Sequence, residues 1–396
     1  MQRKPDGATV GHGALRASTS GASAGLYVHL PFCPYVCPYC DFAKWKHDGV
    51  RAERYLRSLR AEAAHAPALR CATMFFGGGT PNTYAPDDIA ALATELVARF
   101  GIPSGAEVSI EVNPDLALCD GFSAYRAAGI TRLSIGVQSF VPAELHALGR
   151  QHTPDDVALV VERARTAGFS NVSLDLMFGT PHQTLASWRT SLERAVALDA
   201  DHISTYGLTV EEGTPYERWF GREPSAFGDQ DAAADLYGLA IDLLTSAGYE
   251  QYEISNFARP GYRCAHNANY WANGEYLGLG VGAASYLGGE RRTTTRDLTA
   301  YESAALAGTP IAAQRERLEG AAMVGEAAML ALRTNEGVEL QSFAERYHVD
   351  FVEMYRPVLE ELSAAGLVRT SPTHIALTRR GRFLANDACG AFVVPA

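Results

Sequence analysis

The chain predicts an α/β protein, an open, partial (β/α)6 barrel followed by a C-terminal winged-helix-like α+β domain. Three observations lead there. From about residue 25, strand-like and helix-like segments alternate six times, the pattern of parallel strands joined by right-handed crossovers. Most chemically suggestive motifs in the chain fall at or near a strand's carboxyl end, where such folds build their sites. After about residue 290 the alternation stops, and helices followed by two short strands take over.

In chain order, residues 1–24 are small, polar and poor in large apolar groups. They read as a flexible tail. They lack the apolar stretch of a secretory signal, and Asp6 with the Gly/Pro content spoils an amphipathic transit helix. Strands are expected at Leu26–Leu30, Thr73–Phe76, Glu107–Val112, Arg132–Val137, Val172–Phe178 and His202–Leu208. Helices are expected at Arg51–His65, Pro86–Phe100, Ala186–Leu198 and about Gln230–Ala247. The barrel and its associated motifs are placed in 25–290 and the C-terminal domain in 291–396. There, EELSAAGLVRTSPTHIALTRRGRFLAN reads as a helix, a Gly-capped turn and a hairpin around Leu367–Arg369 and His374–Leu377. Winged helices often bind DNA. Here Arg369, Arg379, Arg380 and Arg382 are scattered among Glu360, Glu361 and Asp387, which favours a packing or lid role.

The 396 residues are 47% hydrophobic and 20% charged, with a net charge of −11. That balance suits an ordinary soluble chain and does not advertise nucleic-acid binding. No apolar run reaches the length of a bilayer span. Seven cysteines, an odd and uneven set, point to a reducing, cytoplasmic setting.

Three of those cysteines, Cys33, Cys37 and Cys40, bunch as CxxxCxxC in YVHLPFCPYVCPYCDF. They are too few and too uneven for a disulfide scaffold. Structural zinc usually closes a four-ligand shell, and no partner CxxC follows. Three thiolates suit three corners of a [4Fe-4S] cluster, leaving one iron open to a non-protein ligand.

The run FFGGGTPN at 75–82 strips side chains from a strand end, so that backbone amides can approach a ligand. A tight turn is the plainer alternative. Glu111, Gln138 and Asp175 sit at or near successive strand ends. Each by itself could be a cap or a core hydrogen bond, but one shared ligand explains all three more simply. Arg150 suits either a ligand carboxylate or the open surface.

CxxxCxxC after the first strand, GGGTP after the second, and polar strand ends in this order resemble the radical S-adenosylmethionine (SAM) superfamily. The resemblance implies a [4Fe-4S] cluster on Cys33, Cys37 and Cys40. It also implies SAM contacts from Tyr27, Gly78, Gly79, Thr80, Glu111, Gln138, Arg150 and Asp175, with Tyr39 near the adenine. From about residue 25 to the C-terminus the chain is similar to the oxygen-independent coproporphyrinogen III oxidase-like group. Its decarboxylase branch carries CxxxCxxCxC, and Phe42 stands at the fourth cysteine position. The chain therefore looks like the HemW-type heme chaperone branch.

HNANYW at 266–271 supports that branch. The resemblance implies heme binding by His266, with Asn267, Tyr270 and Trp271 around it. A neutral imidazole can ligate heme iron, and flat aromatic faces suit a porphyrin. Taken alone, the run also suits a polar–aromatic packing turn. Cys264 reads as a buried free cysteine, and His29, His152 and His202 as structural. The resemblance further implies heme-acceptor partners and cluster-dependent homodimers. Whether the chain is an enzyme stays open at this point, with oxidative decarboxylation of coproporphyrinogen III, or a radical reaction on another substrate, as the competing readings.

Overall fold

The computed structural model describes residues 24–393. The tail expected over 1–24 lies outside them except for Ala24, which opens the first strand. Six parallel strands are neighbours in space in their sequence order. They are β1 (Ala24–Leu30), β2 (Cys71–Gly78), β3 (Val108–Val112), β4 (Arg132–Gln138), β5 (Val172–Phe178) and β6 (His202–Gly207). All six expected strands are present, displaced by at most two residues at either end. Crossover helices include Gly49–His65, Pro86–Arg99, Pro154–Thr166 and Leu185–Ala197. Their starts are chemically marked. Asp48 accepts from the Arg51 amide, and Thr153 with Asp156 forms a capping box.

The strands alternate by face. Leu26, Val28, Met74, Phe76, Ile110, Leu133, Ile135 and Leu174 point outward and bury against the helices. The opposite face carries Ser109, Glu111, Ser134, Gly136, Ser173, Asp175 and Ser204. Bulky branched residues usually fill a closed (β/α)8 barrel. Small and polar ones here leave a lumen. The sheet curves enough for Arg132 Nη2 of β4 to lie 3.4 Å from His202 Nδ1 of β6, two strands away.

The sheet extends at both edges, which the sequence pattern does not anticipate. Tyr276–Leu279 pairs in parallel with β1, and Ala284–Leu287, Glu290–Thr294 and Ala312–Arg317 continue antiparallel. Asn256–Ala258 and Glu250–Gln251 lengthen the β6 edge, giving twelve strands in all. The sheet thus runs past residue 290 to Arg317.

The C-terminal segment packs a second core from Val324, Leu332, Phe343, Phe351, Ile375 and Phe392. It contains the helices Gly320–Leu332, Leu340–Tyr347 and Arg356–Ala364 and the hairpin Val368–Thr370 with His374–Leu377. Three of its basic residues are engaged by neighbouring polar groups. Arg379 pairs with Asp242 at 2.6 Å, Arg382 bonds Gln251 and Asn335, and Arg369 bonds the Asn335 carbonyl. They join the C-terminal domain to the chain around it rather than forming a cationic face.

Glu62 ties helix Gly49–His65 to the end of the added strand Tyr276–Leu279 and to the helix Leu298–Ala307. Its Oε2 accepts from the Gly280 amide at 2.8 Å and from the Tyr301 hydroxyl at 2.6 Å. Burial pushes its carboxyl up to about 7, against the opposing effect of those two bonds. The folded chain therefore holds a proton that the unfolded chain has already lost above the ordinary carboxylate range. This contribution to stability is complete below about pH 4 and is lost as pH rises through about 7, at most about 3 kcal/mol. Urea denaturation at a series of pH values should show that decline, and Glu62→Gln should flatten it. An equally steep decline in the variant would remove Glu62 as its source.

Candidate functional site

The loop that follows β1 is closed at its base. Phe32–Cys33 pairs in parallel with Trp45–Lys46, and the His47 amide donates to the Cys33 carbonyl at 2.8 Å. Cys33, Cys37 and Cys40 are all free and line one cleft of about 600 Å³ at the carboxyl ends of the barrel strands. Burial pushes the Cys33 thiol up to about 11 and raises Cys40 as well. Thiols held neutral in this way need a bound cation to become thiolates.

Among the described residues, no three His, Cys, Asp or Glu side chains converge to hold a metal ion. In a cluster each thiolate takes a different iron, so three thiols around one cleft need not converge on a single point. The other four cysteines, Cys71, Cys119, Cys264 and Cys389, are buried elsewhere. Phe42, 66% exposed, borders the cleft where a fourth cysteine would stand. The donor set therefore fits a cluster with one iron not bound by protein.

The GGGTP turn sits across the cleft. A Cβ on Gly79 would lie 2.6 Å from the Leu30 carbonyl oxygen, because its backbone is hydrogen-bonded to the exit of β1. Gly78 has φ +107° and donates its amide to Glu111 Oε2 at 3.0 Å. Glu111 and Asp175 face the same lumen. Burial, then the charge of Asp175, pushes the Glu111 carboxyl up to about 7, and burial raises Asp175 although Ser134 and Ser173 donate to it. The pair is thus suited to a cationic ligand, which would restore full ionisation.

Gln138 lines the cleft with φ +67°, a conformation a non-glycine residue holds at a cost. Arg150 also lines it, so the open-surface alternative does not hold. Its Nη2 donates to the Gly136 carbonyl at 2.7 Å, and its Nη1 lies 3.8 Å from Cys37 Sγ. Thr80 and Tyr39 border the cleft, with Tyr39 against Tyr216. Tyr27 lies beside it, bonded to His29 and stacked on Phe75.

HNANYW lies at the other end of the barrel. It forms the helix Ala265–Trp271, whose first amides, Ala265 and His266, donate to the Glu107 carboxylate at 2.9 and 3.0 Å. Glu107 immediately precedes β3, so this helix covers the amino ends of the strands. That departs from the expected gathering of motifs at the carboxyl ends. His266 is 1% exposed, and its ring fits where Gly25 leaves no side chain. Its Nδ1 meets Thr73 Oγ1 and its Nε2 the Tyr270 hydroxyl, each at 2.8 Å. Burial lowers it to about 4, so it is the neutral imidazole that metal ligation requires. Asn267 reaches up into the lumen of the cleft. Trp271 lies under the Arg333 guanidinium at 5.5 Å. Cys264 is buried with its thiol on Glu107, and His29, His152 and His202 are buried and hydrogen-bonded.

Residues 27–195 match the Radical SAM superfamily model, and residues 319–384 match that of the HemN C-terminal domain. The chain is 36% identical to the heme chaperone HemW of Bacillus subtilis (strain 168), over 93% of this chain and 98% of that one. The chain belongs to the HemW family. HemW of Escherichia coli (strain K12) is 34% identical, over 93% of this chain and 97% of that protein. The fold of this HemW-family chain is that of the coproporphyrinogen III oxidase HemN of Escherichia coli, a radical SAM enzyme. The TM-score is 0.82 at 25% identity, covering 93% of this chain and 90% of that one.

Two residues of this HemW-family site escape motif reading. Arg132, 2% exposed, sits low in the lumen with Glu107 and Asp175 within electrostatic reach. Burial opposes its charge, yet the acidic groups around it raise its pKa and it stays charged. Strand alternation was the available signal, since Arg132, Ser134, Gly136 and Gln138 share one face. Glu107 gave no signal, because its partners are backbone amides 158 and 159 residues away.

Proposed function

We propose that this protein is a heme chaperone, which binds heme and passes it to acceptor proteins, and which carries a [4Fe-4S] cluster with SAM. The observation that carries this reading is near-full-length likeness to HemW proteins in a chain with HNANYW and Phe42 in place of a fourth cysteine. Cys33, Cys37 and Cys40 would hold the cluster. When bound, the cluster supplies an open iron and a single electron to SAM. Gly78, Gly79 and Thr80 would present backbone to SAM. Glu111 and Asp175 would meet its cationic part, Gln138 and Arg150 its polar groups, and Tyr27 and Tyr39 its flanks.

His266 would be the heme ligand through Nε2, with Nδ1 oriented by Thr73. Tyr270 and Trp271 would give the porphyrin apolar faces, and Asn267 a polar neighbour. Free cysteines throughout support a reducing, cytoplasmic setting. Among the described residues no helix is long and apolar enough to cross a membrane. Homodimerisation belongs to the same proposal.

His266→Ala should weaken hemin binding at least about tenfold in a Soret titration while leaving the cluster's visible absorption unchanged. An unaltered titration would remove His266 from the reading. Decarboxylation is the rival chemistry, disfavoured by Phe42. Anaerobic incubation with coproporphyrinogen III, reductant and SAM should leave all four propionates intact, and formation of protoporphyrinogen would reverse the ranking.

A further inference from the structure

His266 cannot meet a heme iron in the arrangement described, because it is 1% exposed and both ring nitrogens are engaged. Something must move, and the contacts around its helix indicate what. A seven-residue helix is not stable by its own hydrogen bonds. This one is held at both ends by side chains, an acidic one at its start and a basic one at its end, in the sense that complements the helix dipole. The barrel supplies the Glu107 carboxylate to the first amides.

The C-terminal domain supplies the other clasp. Arg346 Nη1 donates to the Ala272 carbonyl at 2.7 Å and Nη2 to the Asn273 carbonyl at 2.5 Å. Asn273 Nδ2 also donates to the Tyr347 hydroxyl at 3.2 Å. Asn273 has φ +49° and Gly274 follows it, so the backbone can turn at that point. Tyr270, which covers His266 Nε2, lies on the last turn, next to the Arg346 clasp. Thr73, which holds Nδ1, belongs to β2 and the barrel. Freeing the last turn would therefore take Tyr270 off Nε2 while Thr73 keeps the ring in place.

We propose that Arg346 and Tyr347 of the C-terminal domain are positioning residues that keep the His266 helix closed, so that heme coordination is coupled to release of this clasp. The proposal rests on His266 being the heme ligand. By population shift, a variant that opens the clasp binds heme more tightly, the opposite of what damage to a binding site does.

The test uses the full chain with its cluster reconstituted. Arg346→Met keeps the side-chain stem and removes the donors. Tyr347→Phe is the milder change should Arg346→Met fold poorly. Amide hydrogen exchange over residues 265–273 should be faster in these variants without heme. Hemin titration should show affinity about five- to tenfold tighter for Arg346→Met, with a smaller gain for Tyr347→Phe. Arg346→Lys should return part of the protection. Unchanged exchange in both substitutions overturns the clasp. Faster exchange with equal or weaker hemin binding overturns the coupling, provided His266→Ala has lost the titration. Hemin binding that survives in His266→Ala overturns the ligand reading and the coupling together, while the exchange data still report on the clasp.

Discussion

Cys37→Ala is expected to yield a folded protein that no longer assembles its iron–sulfur chromophore. Cys37 is the informative choice among the three ligands because its thiol is half-buried in the loop, whereas Cys33 is 8% exposed and packs at the start of the paired segment Phe32–Cys33. The loop is pinned at its base by that pairing with Trp45–Lys46, which involves no Cys37 side chain. The partner Cys37 loses is the Arg150 guanidinium at 3.8 Å, which keeps its stronger bond to the Gly136 carbonyl. With two thiolates left, a cubane would expose two irons, and an exposed cluster is readily lost. Anaerobic reconstitution followed by visible spectroscopy and iron and sulfide analysis should show at least about a tenfold loss of bound cluster, with an unchanged far-UV circular dichroism spectrum. Full cluster content in the variant would mean that the three-cysteine ligand set is misassigned.

Arg132→Met should destabilise the barrel at neutral pH, by at least about 1 kcal/mol. The guanidinium is fully enclosed, and Glu107, Asp175 and Glu111 all feel its charge. Removing it leaves buried carboxylates without a counter-charge. They can protonate, and Glu111 is already poised at about 7. The loss should therefore shrink as the pH falls and those groups take up protons. Urea denaturation at mildly acidic and neutral pH tests both statements. Adding Asp175→Asn to the variant should recover part of the lost stability, because it removes one of the uncompensated charges. A cost below about 1 kcal/mol at neutral pH would show that Arg132 is not the counter-ion of this network.

Much of this protein is legible in its residues, for definite reasons. The barrel strands stand out because each is a short apolar run bounded by turn residues, and β5 begins and ends where the run Val172–Phe178 predicts. CxxxCxxC and GGGTP are legible because their chemistry is local. Cys33, Cys37 and Cys40 lie within one loop, and Gly79 is dictated by contact with the neighbouring strand exit. The added edge strands are not legible in the same way. Tyr276–Leu279 and Ala284–Leu287 are four residues each, embedded in EYLGLGVGAASYLGGE, and their strand character comes from pairing with β1 and with each other rather than from propensity. The motif HNANYW was legible as a motif but not in its place. Its seat under the barrel depends on Glu107, Thr73 and Arg346, whose contacts with it span long stretches of chain.

The placement of the two motifs at opposite poles has a consequence for traffic. β1 spans seven residues, which at about 3.3 Å per residue puts roughly 20 Å between the cysteine loop and the His266 helix. The molecule thus has two doors. One is the cleft lined by Cys33, Cys37 and Cys40, and the other lies where Arg346 and Tyr347 of the C-terminal domain hold the end of the His266 helix. On the heme-chaperone reading proposed above, a recipient protein docking at the second door would collect its load at the pole away from the cysteine loop, with Asn267 alone of that motif reaching into the cleft.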